Sequence, residues 1–215
     1  MMHSRRFILT FIGTLSLVGA LPGLAQEKGK EAPKAPASPK AAAPAAPSQE
    51  EMMKAWMAVA TPGDAHKKLE PLVGTFTVKT KAWMEPGKPP EETEGTSENK
   101  WVLGNRFIEG HFEGKMMNEP FSGIGYTGYD NYKKKYVGTW MDSMGTMIMS
   151  STGTMDASGK KLTSWSTIDD VVMKKPSKIK SLLTIVDNDH HNFEMWGPGP
   201  DGKNFKMLEI SYTRK

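Results

Sequence analysis

From Gly74 to the C-terminus, apolar and polar residues alternate with a period of two, the signature of half-buried strands. The alternation predicts ten strands: 75–84, 94–103, 105–115, 119–127, 134–142, 145–155, 160–169, 178–187, 191–196 and 203–214. The joints carry turn chemistry at Glu85-Pro86-Gly87, Tyr129-Asp130-Asn131, Asp156-Ala157-Ser158-Gly159, Lys175-Pro176-Ser177, Asp187-Asn188-Asp189 and Pro198-Gly199-Pro200-Asp201-Gly202. Consecutive strands joined by short turns pair antiparallel. Ten of them either stack as a sandwich or close on themselves, and closure removes the exposed edges. The pattern therefore predicts an all-β domain, an antiparallel up-and-down barrel of about ten strands.

Ahead of the strands the pattern changes. Ser48-Gln49-Glu50-Glu51 reads as a capping box. It opens a short N-terminal helix from Gln49 to Ala60 with Met52, Met53, Trp56 and Val59 as its apolar positions, stopped by Thr61-Pro62-Gly63. Asp64 caps a further turn, 65–72, ended by Gly74. Residues 26–50 hold eight Ala, five Pro and four Lys and no aromatic or β-branched residue. Such a segment buries too little apolar surface to offset its ordering entropy, so it reads as a disordered linker. Semi-extended, it reaches at most ~75 Å. Residues 1–25 have a basic start (Arg5, Arg6), an apolar run from Phe7 to Ala20, and small residues at Gly23 and Ala25. This is the layout of a secretory signal peptide cleaved after about Ala25. The apolar run is shorter than the ~20 residues of a membrane span. Arg5-Arg6 also fits a loose twin-arginine signal, although an ordinary basic start explains it as well. The expected organisation is signal peptide 1–25, linker 26–50 and barrel 51–215, with export to the periplasm or the medium.

Composition narrows the chemistry. There is no Cys, which excludes disulfides, thiolate metal sites and Cys nucleophiles. The net charge is +4, but the first fifty residues carry +3 of it, leaving +1 on residues 51–215. A near-neutral domain offers no electrostatic footprint for nucleic acid. The chain has no G-x-S-x-G elbow, H-E-x-x-H, P-loop or dinucleotide fingerprint.

Several blocks resemble a known family: Leu72-Val73-Gly74-Thr75-Phe76, Val102-Leu103-Gly104-Asn105-Arg106-Phe107, Gly125-Tyr126-Thr127-Gly128-Tyr129-Asp130, Tyr136 through Thr146, and Met207 through Arg214. Over roughly residues 62–215 the chain is similar to bacterial domain-of-unknown-function family 1579. The resemblance implies a lipocalin-like (calycin) barrel and assigns no catalytic or binding residue. In calycins a Trp in a G-x-W motif on the first strand meets an Arg near the last. Here Gly74-Thr75-Phe76 puts Phe in the place of Trp, with Arg214 as the implied partner. Some calycin-like barrels hold haem through one His, for which His191 or His111 would be the candidates.

The strands are rich in Met and Trp: residues 51–215 hold 14 Met and all six Trp. Met repacks around varied shapes, and small barrels can enclose one ligand. The expected role is non-catalytic binding of a small apolar ligand inside the barrel, lined by Trp101, Trp140, Met147, Met149, Trp165, Phe193 and Met195. No catalytic residue, metal or cofactor is assigned. Three other chemistries remain open: Cu(I) held by the Met cluster, a metal on Asp187, Asp189 and a neighbouring His, and an acid–base pair at Glu109, His111 and Glu113. Against the last, these three alternate on what the pattern makes a solvent face. His66 is expected to be solvated. The alternatives to a carrier are a hydrolase or isomerase using a buried carboxylate, Asp142 or Glu209, and an envelope interaction module with a packed barrel.

Overall fold

Strand pairing runs unbroken around the molecule. In the computed structural model, which describes residues 46–170 and 174–215, ten strands form one closed antiparallel barrel. They are β1 (Gly74–Ala82), β2 (Glu91–Val102), β3 (Phe107–Met116), β4 (Glu119–Asp130), β5 (Lys135–Asp142), β6 (Met149–Met155), β7 (Lys161–Asp170), β8 (Lys175–Ile185), β9 (His190–Pro198) and β10 (Asn204–Arg214). Each pairs with its sequence neighbours, and β1 closes the ring on β10, with Phe76 opposite Arg214 and Val78 opposite Tyr212. The signal-peptide and linker expectations fall largely outside the described residues.

Pairing fixes which side chains face the axis, because in-register partners share a face. The inward set includes Phe76, Val78 and Thr80 of β1, Ser97 and Trp101 of β2, and Ile108 and Phe112 of β3. On β10 the register shifts between Lys206 and Leu208. Met207 is the extra residue, and its carbonyl accepts from the Trp83 amide at 2.9 Å. The bulge re-aims the strand so that Leu208, Ile210 and Tyr212 pair with the inward residues Met195, Phe193 and His191.

One end of the barrel is closed by the chain that enters it. Helix α1 (Gln49–Ala60) starts with the expected reciprocal Ser48–Glu51 capping box. After it come α2 (Asp64–Lys67) and a 3-10 turn (Glu70–Leu72). Leu69 and Leu72 drop into the barrel against Ile108, Tyr136, Leu162 and Ile185, forming a plug. The Tyr136 hydroxyl donates to the Ala65 carbonyl at 3.0 Å and anchors α2. His66 is buried here rather than solvated: its Nδ1 accepts from the Gly63 amide at 3.1 Å and its ring meets Tyr129 edge-on. Helix α1 buries none of its residues. Its apolar side, with Met52, Met53, Trp56, Met57 and Val59, stays exposed, and the Asn131 amide holds its end by donating to the Val59 and Thr61 carbonyls.

Several expected boundaries move: β4 runs on through Tyr129 and Asp130, β2 begins three residues early, and two further shifts have a clear local cause. Residues 145–148 precede β6 instead of belonging to it. The Asp142 carboxylate accepts from the Met144 amide at 3.0 Å and turns the chain there. Residues 175–177 belong to β8 rather than to a turn. Pro176 is tolerated because β8 pairs with β9 only from Lys180 onward, so at Pro176 the strand has a neighbour on one side alone.

Candidate functional site

The end opposite the plug is the mouth. It is framed by the β1–β2, β3–β4, β5–β6 and β9–β10 connections and by the facing ends of β7 and β8. Exposed Met84, Met117, Met144, Met147 and Ile148 stand on three of these. The β3–β4 connection is the two-residue turn Met117-Asn118, with φ of 51° and 63°, the left-handed geometry of a tight hairpin. A shallow recess of about 300 Å³ lies on the mouth side, lined by Ala82, Met84, Glu85, Lys88, Pro89 and Glu91.

Between mouth and plug several inward side chains keep part of their surface accessible, while Val78, Thr80, Ser166 and Ile179 are buried. Trp140, Met149, Phe193, Met195, Leu208 and Ile210 all face the axis, yet none is buried. A solid core would seal these mid-barrel positions, as the plug seals Leu69, Leu72 and Ile108. Trp140 lies along the β4 wall, where Gly123 and Gly125 make room; a Cβ on Gly123 would overlap the indole. The Trp140 indole N–H donates to Asp142 at 2.9 Å, so this inward carboxylate at the mouth is engaged in holding the ring.

The wall from β6 to β8 is polar. Ser151 stands opposite Ser166, and Ser164 opposite Ser181, all four facing inward. None of the four hydroxyls has a hydrogen-bond partner among the described residues. On the other side, Thr80 is 8% exposed and its Oγ1 is a buried polar atom without a partner among the described residues. Nearer the plug, His191 is 4% exposed, stacked on Tyr212 at 4.2 Å and edge-on to Phe76 at 4.7 Å. Burial, reinforced by the Arg214 charge, lowers its pKa from 6.5 to about 4, so the imidazole is neutral at pH 7. Burial also pushes the Tyr212 phenol up.

Arg214 closes this layer. Its guanidinium sits 4.8 Å from the Phe76 ring centre and donates to the carbonyls of Val73 at 2.7 Å, Pro71 at 3.0 Å and Asn188 at 2.6 Å. Gly74 leaves the space it occupies, and a Cβ there would overlap the guanidinium. The expected pairing of Phe76 with Arg214 is therefore present.

Of the seven residues the sequence nominates as lining, Trp101, Trp140, Met149, Phe193 and Met195 face inward. Trp101 packs with the plug cluster and donates to Glu70 at 2.8 Å, so it belongs to the closed end. Two nominations are corrected. Met147 lies in the exposed β5–β6 connection at the mouth, outside any strand. Trp165 points outward, because the inward parity of β7 is set by Leu162, Ser164 and Ser166; Lys178 lies over its ring at 5.7 Å. Sequence reasoning missed the serines and Thr80, since hydroxyl residues in alternation read as a solvent face.

The other candidates sort by face. His111 points outward and forms with Tyr126 and Lys100 a network around Glu109. The His111, Tyr126 and Lys100 contacts hold the Glu109 carboxyl down to about 2. Glu209 is also outward, paired with Lys206, which Glu194 shares and which lies over the Trp83 and Trp196 rings. That placement removes Glu209 as an interior carboxylate. Asp187 is occupied by His190 and by the backbone of its own turn. Among the described residues no group of three or more His, Cys, Asp or Glu side chains is arranged to hold a metal ion. Nor is any helix of theirs long and apolar enough to cross a membrane.

These features define the class: a closed ten-stranded antiparallel up-and-down barrel, plugged at one end by the chain that enters it. The chain belongs to the DUF1579 family of proteins of unknown function, whose model matches residues 61–214. A crystal structure of Rv2717c from M. tuberculosis is similar in fold, with a TM-score of 0.52 at 15% identity, over 72% of this chain and 99% of that one. Weaker likeness extends to two engineered barrels. One is a redesigned beta barrel (TM-score 0.36, 14% identity, 70% of this chain and 95% of that one). The other is a de novo fluorescence-activating beta barrel (TM-score 0.39, 15% identity, 72% of this chain and 100% of that one). No curated protein matches the chain.

Proposed function

We propose that this is an exported binding protein that takes a small, predominantly apolar molecule into its barrel without transforming it. The observation that carries the reading is the row of inward side chains, Trp140, Met149, Phe193, Met195, Leu208 and Ile210, that face the axis and are not buried. A ligand seated there would cover apolar surface worth about 25 cal/mol per Å², before the cost of association. The plug blocks one end, so entry is from the mouth. Catalysis has less support: Asp142 already accepts from Trp140 and Met144, and Glu209 is on the outer wall.

N-phenyl-1-naphthylamine, an uncharged polarity-sensitive dye, tests the reading. Wild-type protein is expected to bind it with a fluorescence rise. The Trp140→Ala/Met149→Ala double variant is expected to bind at least tenfold more weakly while keeping a cooperative melt. Equal affinity in a folded double variant would sink the assignment. Export is checked separately: the protein isolated from its own host should begin near Gln26.

A further inference from the structure

We propose that the barrel selects an uncharged amphipathic ligand, a molecule with one hydrocarbon face and hydroxyl or carbonyl oxygens along the opposite edge. The oxygen-bearing edge meets Ser151, Ser164, Ser166 and Ser181. This rests on the binding reading above and narrows it from an apolar ligand to an amphipathic one.

The four serines form one patch. Directly paired residues across neighbouring strands bring their Cβ atoms to about 5 Å, and alternate residues along a strand stand roughly 7 Å apart. Ser151–Ser166 and Ser164–Ser181 are such pairs, joined through β7. Hydroxyls so placed commonly bond to each other or to backbone, yet these four have no partner among the described residues. Ser166 is only 6% exposed, yet its hydroxyl, like the other three, is not sealed off and opens onto the barrel interior. Thr80 on the far wall also has its hydroxyl unpartnered among the described residues. Buried polar groups without partners are rare in proteins, and water or a ligand is the usual explanation. Apolar side chains face this patch across the barrel: Phe76, Val78 and Phe112 form a cluster with Trp140, Ile210 and Tyr212 packed against it.

Charge sets the second half of the specificity. Among the described residues, the inward positions between the mouth and Arg214 carry no ionised side chain. Arg214 is used up on the Pro71, Val73 and Asn188 carbonyls and on Asp189. His191 is neutral and sits against Tyr212 and Phe76. The inward side of the mouth has Glu91, Glu119, Asp142 and Asp170, with Lys175 opposite Asp170 and Lys88 at the rim recess. A carboxylate or phosphate would pass these acids and find no cation inside, so desolvation would go uncompensated.

Three matched probes at pH 7 decide it, followed by Trp fluorescence: naphthalene, 2-naphthol and 2-naphthoate. Naphthol is the more water-soluble partner of naphthalene, so apolar burial alone would favour naphthalene. The proposal expects wild type to bind 2-naphthol at least fivefold tighter than either other probe. In Ser164→Ala/Ser166→Ala the advantage over naphthalene should fall below twofold while naphthalene affinity holds. Ser151→Ala/Ser181→Ala, on the same patch, provides the same readout should the first pair not fold. Tightest binding of 2-naphthoate, or a naphthol preference that survives the serine changes, overturns the inference. So does failure of all three probes in a protein that binds N-phenyl-1-naphthylamine. If that dye fails as well, the binding reading falls and takes the inference with it.

Discussion

His191 couples the stability of the barrel to pH. Its imidazole is neutral when folded, with a pKa of about 4 against 6.5 for the free side chain. Above pH 6.5 neither state takes a proton, and the burial of the neutral ring is fully expressed. As pH falls from 6.5 toward 4 the unfolded chain is protonated first, and stability declines by about 3 kcal/mol at the lower end. His66, also lowered by burial, adds a change of the same sign. Urea midpoints measured from pH 7.5 to 4 should fall for wild type and flatten for His191→Phe. Parallel slopes would show that the imidazole is not held neutral. Met117 offers an independent test. It occupies a left-handed position that costs a residue with a Cβ about 1 kcal/mol, and Gly avoids that cost. Met117→Gly should therefore raise stability by up to about 1 kcal/mol in chemical denaturation.

The two helical elements before the barrel look alike in sequence and differ in their contribution. Leu69 is fully buried in the plug, and Leu69→Ala should cost about 2–5 kcal/mol. Helix α1 buries nothing, and removing residues 1–60 should shift the melting temperature by no more than a few degrees. A large loss in that truncation would show that α1 packs in solution. Amphipathic spacing made α1 legible as a helix, but spacing does not reveal whether an apolar stripe is covered. The strands were legible because period two is robust wherever apolar and polar residues alternate. The misread stretches have local causes. Met144 to Ile148 have a strand-like composition, while the turn at Asp142 is set by a side-chain hydrogen bond. On β7 the sequence suggested Trp165 as the buried residue, whereas the pairing of Leu162 with Leu183 puts the serines inside. A polar interior inverts the ordinary rule that hydroxyls face water, which is why the sequence pointed to inward aromatic and Met positions and passed over the serine wall.

At the scale of the whole molecule, closure joins the two ends of the barrel sequence. The Lys215 amide donates to the Thr75 carbonyl at 2.9 Å, and Gly74 and Phe76 lie against Arg214. A circular permutant that links Lys215 to Asp64 through a short Gly/Ser segment and opens between Gly145 and Thr146 should keep the barrel and melt within several degrees of wild type. Deleting residues 211–215 removes the seam with His191, Arg214 and Thr75, and should abolish the cooperative transition. Either result in reverse would mean that the β1–β10 seam does not hold the ring closed.

The rim of the mouth also fixes an order of chemical attack. Met84, Met117, Met144 and Met147 are between 50% and 56% exposed, whereas Met149 and Met195 face inward and are half-buried. Thioethers oxidise to sulfoxides according to access. Brief treatment with hydrogen peroxide should mark the four outer sulfurs before the two inner ones, as peptide mass mapping would read. The entrance would then turn polar while the inner thioethers stayed reduced, a protection that depends only on where the sulfur atoms stand.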